Sequence, residues 1–193
     1  GRVDAVFLAV PHKTAAPITK KALDASLRVV DLSADMRFDS AETYTQWYGV
    51  EHPHPELLPV PYGLCELNRD KIAGAQAVAV PGCYPTATLL GLYPLLRVEG
   101  LSLEAPIIID AKSGISGAGR TPTDKTHFVQ AYGNIIPYNA GRVHRHVGEI
   151  EQEINKFMDI SEPVVFTPHL VPIDRGLMTS IYVSLGYSHT SDK

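Results

Sequence analysis

The chain has 193 residues, of which 45% are hydrophobic, and 17 Lys and Arg residues against 21 Asp and Glu residues give it a net charge of −4. This composition excludes a disordered tail, and the lack of a basic run argues against a nucleic-acid binder that neutralises phosphates. The longest apolar stretches are far shorter than the about 20 residues of a membrane span. Two cysteines cannot form a disulfide framework, and the opening residues lack the pattern of a signal peptide. We therefore expect a cytoplasmic α/β protein that binds neither membranes nor nucleic acids.

The first 80 residues alternate between predicted strands and a helix. Val3–Val10 is a nearly continuous apolar run, typical of a strand buried on both faces of a parallel sheet. A helix is expected to follow as far as about Ala25, with Thr14 as its cap and Pro17 in its first turn. The remaining predicted segments are the strands Leu27–Leu32 and Ala75–Val80 and an irregular stretch from Asp39 to Asn68. This pattern predicts the remnant of a parallel Rossmann-type sheet, and thus a partial dinucleotide-binding domain, over residues 1–80.

The pattern changes at Pro81 to a mixture of helices and strands. Leucines at helical spacing predict a helix over Thr86–Leu96, which Pro94 is expected to kink or end early. An apolar stripe predicts a second helix over Val147–Asp159. The predicted strands are Pro106–Asp110, Val164–Leu170 and Met178–Leu185, the last two joined by a turn over Pro172–Gly176. We expect residues 81–193 to form an α+β catalytic and substrate-binding domain with a mixed sheet.

A dinucleotide-binding fold opens with a strand, a Gly-x-Gly-x-x-Gly turn and a helix. No such turn lies before Val3. The later cluster of Gly114, Gly117 and Gly119 has the reverse spacing and comes too late in the chain. We therefore expect the chain to begin in the middle of such a fold.

Three predicted strands are followed by residues suited to chemistry. These sets are Pro11-His12, Ser33-Ala34-Asp35 and Pro81-Gly82-Cys83. Parallel strands bring their carboxyl ends to one edge of the sheet, where ligands bind in open α/β folds. Taken singly, each set also fits an ordinary turn.

Cys83 is the most informative of these residues. It follows Pro-Gly and lies at the expected start of a helix, where free N–H groups and the helix dipole favour a thiolate. A thiolate near neutral pH suits covalent catalysis on an acyl group. The spacing alone leaves a nucleophile and a buried structural cysteine both open. Cys65 lies in a predicted loop and has no comparable setting.

The run Arg142–His146 precedes the second predicted helix, with Glu149 three residues after His146. If this run is extended, His144 and His146 point to the same side. One imidazole could move protons for a thiolate, with Glu149 orienting its partner. Arg142 or Arg145 could hold a phosphate or carboxylate. A zinc site and solvated surface histidines are the alternatives, and the zinc site lacks a closely spaced third ligand.

The segment Ser113–Arg120 is a glycine-rich loop after a buried strand. Its backbone N–H groups could receive an anionic substrate or a nicotinamide, with Arg120 as an anion partner. It is not a P-loop, because no Gly-Lys-Ser/Thr follows.

Together these segments resemble the N-acetyl-gamma-glutamyl-phosphate reductase family of arginine biosynthesis. The run Val78–Pro94 looks like that family's active-site signature around its nucleophile, Cys83. The other similar segments are Phe7–His12, Val30–Asp35, Tyr62–Leu64, Glu66–Arg69, Ser113–Arg120, His144–His146 with Glu149, and Pro168–Pro172. The resemblance covers nearly the whole chain and implies a fold like those of semialdehyde dehydrogenases and glyceraldehyde-3-phosphate dehydrogenase.

The resemblance also implies a mechanism. Cys83 attacks the acyl phosphate of N-acetyl-glutamyl 5-phosphate, and NADPH then reduces the resulting thioester to N-acetyl-glutamate 5-semialdehyde. His144 is the implied acid/base catalyst. The implied substrate-binding residues are Arg120, Arg145, His146 and Glu149, and the implied cofactor-binding residues are Pro11, His12, Ser113 and Gly114. We expect no metal, because a closely spaced third ligand is lacking, and the resemblance implies a homo-oligomer, either a dimer or a tetramer.

Two positions depart from the family pattern without removing a reacting group. Gly148 stands where a proline is common, and Lys13 where a glycine is usual after Pro-His. The family's opening dinucleotide-binding half and its closing segment are also missing, so we expect a fragment. Its own catalysis is not expected to be efficient, because the pyrophosphate of NADPH needs the missing glycine-rich turn.

Three rival functions remain at this stage. The related reductase of a carrier-bound aminoadipyl phosphate in lysine biosynthesis would use the same residues. A cysteine acyl hydrolase would use Cys83 and His144 with water as the acceptor. A non-catalytic assembly domain would leave Cys83 inert.

Overall fold

The computed structural model describes residues 3–99, 101–158, 160 and 162–187. The chain divides into two compact units, residues 1–82 and residues 83–193. Within the described residues, no helix combines the length and apolar character needed to cross a membrane.

The first unit contains a parallel three-stranded sheet in the order β1-β2-β3. Its strands are β1 (Ala5–Leu8), β2 (Arg28–Asp31) and β3 (Ala77–Ala79). Helix α1 (Ala15–Asp24) connects β1 to β2 and packs against β2. The βαβ unit expected from the sequence is therefore present, with strands shorter than predicted.

The core of this unit lies between the sheet and α1. Ala15 and Ala16 are fully buried and form one apolar cluster with Leu8 and Val29. The small alanine side chains allow the helix to approach the sheet closely. The expectation that β1 is buried on both faces is wrong, because Phe7 points away from this cluster and is 72% exposed.

The predicted irregular stretch from Asp39 to Asn68 is also wrong in part. It contains α2 (Ala41–Tyr48), a 3₁₀ turn at Pro55–Leu57 and the start of α3 (Cys65–Ala73). The side chain of Ser40 accepts a hydrogen bond from Thr43 N, and Gly49 ends α2 in the left-handed conformation (φ 68°). These are ordinary start and stop signals of a short helix.

The second unit is built on a four-stranded mixed sheet in the order β6-β7-β5-β8. Strand β5 pairs in parallel with β7 and antiparallel with β8, and β6 pairs antiparallel with β7. A separate antiparallel pair joins β4 to β9. The strands are β4 (Leu101–Leu103), β5 (Ile108–Gly114), β6 (Ile136–Pro137), β7 (Val165–Val171), β8 (Leu177–Tyr182) and β9 (Leu185–Tyr187). The mixed sheet predicted for this half is confirmed.

The helices of the second unit are α4 (Cys83–Leu96), α5 (Phe128–Ala131) and α6 (His146–Ile154). Helix α4 packs against α6 and β8. Pro94 does not end α4 early, since the helix continues to Leu96. Pro94 lies in the last turn, where the missing N–H removes a single helical hydrogen bond. The second predicted helix is shorter than expected, and Asp159 lies outside the described residues.

The core of the second unit lies between its helices and one face of the mixed sheet. Side chains that are at most 1% exposed come from α4, α6, β5 and β7 and include Leu89, Leu92, Ile109, Ala111, Ile150, Ile154 and Phe166. This packing fixes the starts of α4 and α6, where the predicted reactive residues lie.

Candidate active site

Cys83 is the first residue of α4, and its thiol is exposed and not in a disulfide. The N–H groups of a first helical turn have no carbonyl partners within the helix, and their dipoles favour a negative charge. The position therefore suits a thiolate nucleophile. This is the setting that the sequence predicts for Cys83.

A chain of hydrogen-bonded hydroxyl groups begins at Tyr84, the residue after Cys83. Tyr138 donates a hydrogen bond to the hydroxyl of Tyr84 (3.1 Å), and Tyr84 lies 3.5 Å from the carbonyl oxygen of His169, to which it donates. Burial is the main cause of a raised pKa for both phenols, and the charge of Cys83 raises both further. Both phenols therefore stay neutral near pH 7 and lie within the electrostatic reach of Cys83.

His144 is enclosed by aromatic rings. The ring centroids of Tyr84, Tyr138 and Phe166 lie 5.9, 5.7 and 5.3 Å from that of His144, all in edge-on geometry. Burial above all, and then the charges of His146 and Arg145, lower the pKa of His144 to about 3. The imidazole is therefore neutral at physiological pH.

The segment between the two histidines is a turn, so it is not the extended run in which both imidazoles would point to the same side. Arg145 is helical (φ −58°, ψ −28°) and precedes His146, the first residue of α6. The two imidazole rings are nevertheless close, with centroids 4.7 Å apart. The backbone N–H of His146 donates to Nδ1 of His144 (3.2 Å).

Glu149 lies on the first turn of α6 and is 1% exposed. One of its carboxylate oxygens is 3.9 Å from Nε2 of His146. The expected pairing of His146 with Glu149 is thus present at the edge of ion-pair distance. A buried carboxylate at the start of a helix is also favoured by the helix dipole.

Arg142 is engaged in a structural ion pair, which the sequence interpretation did not anticipate. Its guanidinium donates to both carboxylate oxygens of Glu151 and to the carbonyl oxygen of Val164. Its backbone has φ +69°, an uncommon conformation for a residue with a side chain. The pair ties the turn before His144 to α6 and to the start of β7, so Arg142 is not available as an anion partner.

The predicted substrate arginines lie on different elements of the second unit. Arg145 is half-buried at the N-cap of α6, beside the two histidines. Arg120 is exposed and follows the 3₁₀ turn Ile115–Ala118.

Ser113 and Gly114 form the end of β5. Ser113 is buried and donates a hydrogen bond to the carbonyl oxygen of Gly114. A hydrogen bond from the Ser113 side chain also offsets part of the rise in the pKa of Tyr84. A Cβ atom at Gly114 would lie 2.8 Å from the carbonyl oxygen of Asp174 and 3.0 Å from Cα of Arg175. The turn before β8 therefore requires glycine at this position, independently of any ligand.

In the first unit, the segments after β1 and β2 are tied together by side chains. Ser33 accepts a hydrogen bond from Val10 N (3.1 Å). The carboxylate of Asp35 accepts from the N–H groups of Lys13, Ala15 and Ala16 at 2.7, 2.8 and 3.2 Å. The N–H groups at the start of α1 are therefore already bound by a side chain of the same unit.

Thr14 does not cap α1 as predicted. It occupies the N-cap position, but its hydroxyl donates to the carbonyl oxygen of Pro11 instead (2.5 Å). Asp35 supplies the cap from a different part of the chain, and local sequence cannot reveal this. Pro11 and His12 are exposed beyond the end of β1, with the His12 ring 5.9 Å from that of Tyr48.

Two family models match the chain. A model described as semialdehyde dehydrogenase, NAD binding domain, matches residues 1–75, and one described as semialdehyde dehydrogenase, dimerisation domain, matches residues 83–193. The chain belongs to the semialdehyde dehydrogenase family. The fold class predicted from the sequence is confirmed by these matches.

Curated members of this family include close relatives. The N-acetyl-gamma-glutamyl-phosphate reductases of Dehalococcoides mccartyi and Desulforudis audaxviator are 47% and 48% identical over 100% and 94% of the chain. The matches cover 56% and 52% of those two proteins, so the chain spans about half the length of the curated relatives it matches. The resemblance inferred from the sequence motifs is confirmed.

Solved structures in the family share the fold at low identity. Aspartate semialdehyde dehydrogenase II from Vibrio cholerae, complexed with ASA, matches with a TM-score of 0.68 at 20% identity. The match covers 95% of the chain described here and 56% of the Vibrio cholerae chain. The NADP complex of aspartate semialdehyde dehydrogenase from Candida albicans matches with a TM-score of 0.60 at 17% identity. This match covers 98% of the chain described here and 52% of the Candida albicans chain.

The sequence interpretation missed the aromatic residues around His144. Tyr84 lies within the recognised signature around Cys83, and its adjacency to the cysteine was the available signal. Tyr138 follows β6 and Phe166 lies on β7, and neither had a sequence signal that indicated a contact with His144.

Proposed function

We propose that this protein catalyses the NADPH-dependent reduction of N-acetyl-L-glutamyl 5-phosphate to N-acetyl-L-glutamate 5-semialdehyde and phosphate, in arginine biosynthesis. Relatives named as this reductase, 47–48% identical over nearly the whole chain, support the substrate. The observation that carries the chemistry is the exposed Cys83 at the start of α4. A cysteine thiolate is a suitable nucleophile for an acyl phosphate.

In the proposed reaction, the thiolate of Cys83 attacks the carbonyl carbon of the acyl phosphate. The new C–S bond forms, the bond to the phosphate oxygen breaks, and phosphate leaves with that electron pair. When bound, NADPH supplies the hydride that reduces the thioester. The C–S bond of the resulting thiohemiacetal then breaks, which releases the aldehyde and returns Cys83 to its thiolate form. The thiohemiacetal collapses as its oxyanion without a further proton, so the single proton that the net reaction takes up from solvent ends on the released phosphate.

His144 is the proposed acid/base group at the reacting carbonyl. The rings of Tyr84, Tyr138 and Phe166 surround His144. The charge of Cys83 raises the pKa of both tyrosines, which supports a position of His144 near the nucleophile. His146, Glu149, Arg145 and Arg120 are the proposed substrate-binding residues. A positive charge on either arginine suits the phosphate or carboxylate of the substrate.

A nicotinamide dinucleotide is the proposed cofactor, with NADP(H) as the preferred form. The first unit fits this group in part. Its parallel strands present exposed Pro11 and His12 beyond a carboxyl end, which is where dinucleotides bind in such sheets. The start of α1 does not suit a phosphate, because Asp35 already fills it. Ser113 and Gly114 stay the proposed nicotinamide contacts from the second unit.

We also propose the division of labour expected from the sequence. Residues 1–80 would contribute to cofactor binding, and residues 81–193 would carry catalysis and substrate binding. A homo-oligomer, either a dimer or a tetramer, is proposed for the protein, supported by the description of the family model that matches residues 83–193. A cytoplasmic location follows from the proposed biosynthetic role.

The test is an assay of the full-length protein with N-acetyl-glutamyl 5-phosphate, following NADPH absorbance. We expect Cys83→Ser to lower turnover by at least about 10³-fold, since removing a covalent nucleophile has effects of this size or larger. Cys65→Ser is the matched control and should leave turnover unchanged. Preference for a carrier-bound aminoadipyl phosphate, or acyl transfer to water without NADPH, would contradict the proposal. Full activity in Cys83→Ser would contradict the mechanism.

A further inference from the structure

Tyr84 carries a polar group into the core of the second unit. It is the second residue of α4, directly after Cys83, and is only 2% exposed. Its ring packs edge-on against Phe166 with centroids 5.2 Å apart, a contact that a phenylalanine would make equally well. A buried hydroxyl needs hydrogen-bond partners within the protein. Packing of the ring therefore does not account for the hydroxyl.

The Tyr84 hydroxyl meets groups from three other segments. It donates to the carbonyl oxygen of His169 on β7 (3.5 Å) and accepts from the hydroxyl of Tyr138 after β6 (3.1 Å). The side chain of Ser113, at the end of β5, is a further hydrogen-bond partner. One oxygen atom thus joins the start of α4 to the ends of strands that carry other parts of the proposed site.

The strand register brings these partners together. In the parallel pair of β5 and β7, His169 lies opposite Lys112, the residue before Ser113. The backbone N–H of Tyr138 donates to the carbonyl oxygen of Pro168 (3.1 Å), which holds Tyr138 beside the same part of β7. The hydroxyl of α4 is therefore received by a paired and ordered part of the sheet.

Ser113 is held firmly at the end of β5. A Cβ atom at Gly117 would lie 2.5 Å from Oγ of Ser113, so the turn Ile115–Ala118 packs directly on this side chain. The next residue is fixed as well, since the N–H of Gly114 donates to the carbonyl oxygen of Gly176 (2.9 Å). The partner of the buried hydroxyl at this strand end is therefore a rigid one.

We propose that Tyr84 is a positioning residue whose hydroxyl holds Cys83 at a fixed distance from Ser113 and thereby sets the geometry of hydride transfer. In this role, the hydroxyl acts on the hydride step and leaves the formation and acylation of the thiolate unchanged. The consequence for catalysis rests on the proposed function. The tie between α4 and β5 is a property of the chain and can be measured without substrate.

The physical basis is the short range of hydride transfer. Reacting atoms must come within about 3–3.5 Å with aligned orbitals, and a misplacement of about 1 Å can lower the rate about 10²-fold. The thioester is bonded to Cys83, so its position follows the start of α4. The nicotinamide follows its proposed contacts, Ser113 and Gly114, at the end of β5. A tie between these two elements therefore bears on the hydride step above all.

The first test measures hydrogen exchange of backbone N–H groups in the chain by NMR. Tyr84→Phe keeps the ring and removes only the hydroxyl. We expect the hydrogen-bonded N–H groups of residues 114–116 to exchange up to about 10-fold faster, the size expected from the loss of one hydrogen bond. Tyr93→Phe on the same helix is the matched control and should leave this exchange unchanged, because the Tyr93 hydroxyl accepts from Arg97 instead.

Ser113→Ala removes the same tie from its other end. If the hydrogen bond between the two side chains carries the effect, the double variant Tyr84→Phe and Ser113→Ala should exchange no faster than the faster single variant. Additive effects in the double variant, or unchanged exchange in Tyr84→Phe, would overturn the proposed tie.

The second test separates positioning from activation of the thiol. Tyr84→Phe should leave the rate and the pH midpoint of Cys83 alkylation by iodoacetamide unchanged. A midpoint that moves to higher pH in this variant would mean that the hydroxyl stabilises the thiolate, and it would overturn the positioning role.

The third test uses the full-length protein with N-acetyl-glutamyl 5-phosphate. In Tyr84→Phe we expect NADPH oxidation to fall about 10- to 100-fold, with the first release of phosphate and the KM of the acyl phosphate unchanged. Deuterium in place of the transferred hydrogen of NADPH should slow this variant more than the unchanged protein, because hydride transfer has become the slow step. Equal losses in phosphate release and NADPH oxidation would contradict the role.

A failure of the proposed function would look different. It would show as no NADPH oxidation in the unchanged full-length protein. The exchange measurements on Tyr84→Phe and Ser113→Ala would still decide whether the hydroxyl ties α4 to β5.

Discussion

The helix starts of the two units differ in what meets their free N–H groups. In the first unit, the carboxylate of Asp35 fills the start of α1 and the hydroxyl of Ser40 fills the start of α2. In the second unit, α4 begins with Cys83 and α6 is met by the imidazole of His144. The first arrangement stabilises the fold, whereas the second places the proposed reacting groups in a field that favours a thiolate and a neutral imidazole.

The two cysteines make this contrast sharpest. Cys65 was expected in a loop, but it is the first residue of α3, and it is exposed like Cys83. Helix α3 is interrupted at Asn68, and the acidic Glu66 follows Cys65 directly. Helix α4 runs for 14 residues and has no acidic residue in its first turn. Both cysteines therefore begin a helix, and their positions differ in the continuity of that helix and in the charge of the first turn.

The largest effect on stability is expected from Asp35→Ala. This change removes the acceptor of three backbone N–H groups at the start of α1. We expect a loss of about 3 kcal/mol in the free energy of unfolding, because bonds to charged groups are strong and a buried donor without a partner is costly. Urea denaturation of Asp35→Ala and of Asp35→Asn measures this. Asp35→Asn keeps one acceptor oxygen and should lose about half as much free energy of unfolding. Equal stability of the unchanged protein and both variants would contradict the capping of α1 by this carboxylate.

Acidification should destabilise the chain through His144. The pKa of His144 is about 3 in the folded state and about 6.5 when unfolded, so the unfolded chain binds more protons below pH 6.5. Stability is then lost as pH falls, by about 2 kcal/mol between pH 7.5 and pH 5. His52, whose pKa is also lowered mainly by burial, acts in the same direction. Urea denaturation at the two pH values should show a smaller loss in His144→Gln, whereas His127→Gln serves as the control and should keep the full loss.

A smaller effect separates two residues that look alike in sequence. Ser40 and Thr14 both occupy N-cap positions, but only Ser40 accepts a hydrogen bond from its helix. Ser40→Ala should therefore cost about 1 kcal/mol, the usual value for a lost cap. Thr14→Ala should cost less than half of that, as measured by urea denaturation. A larger loss in Thr14→Ala than in Ser40→Ala would contradict the assignment of the two caps.

The sequence predicts those features that depend on local patterns. The parallel strands follow from apolar runs, and the helix predicted over Thr86–Leu96 is present but begins earlier, at Cys83. Motif resemblance then adds His144, whose role local spacing alone leaves open. Contacts between distant segments could not be predicted in this way. The cap of Asp35 on α1, the pair of Arg142 with Glu151, and the rings around His144 all depend on how strands and helices pack.

The most direct test of the account is the alkylation of Cys83 and Cys65 by iodoacetamide in the same folded chain, followed by mass spectrometry from pH 5 to 9. Both cysteines are exposed, so the reagent can reach each of them. We expect Cys83 to react about 10-fold faster at pH 7, as a thiolate stabilised by α4, and to lose this advantage in urea. Equal rates in the folded chain, or a faster Cys65, would contradict the claim that the start of α4 activates Cys83.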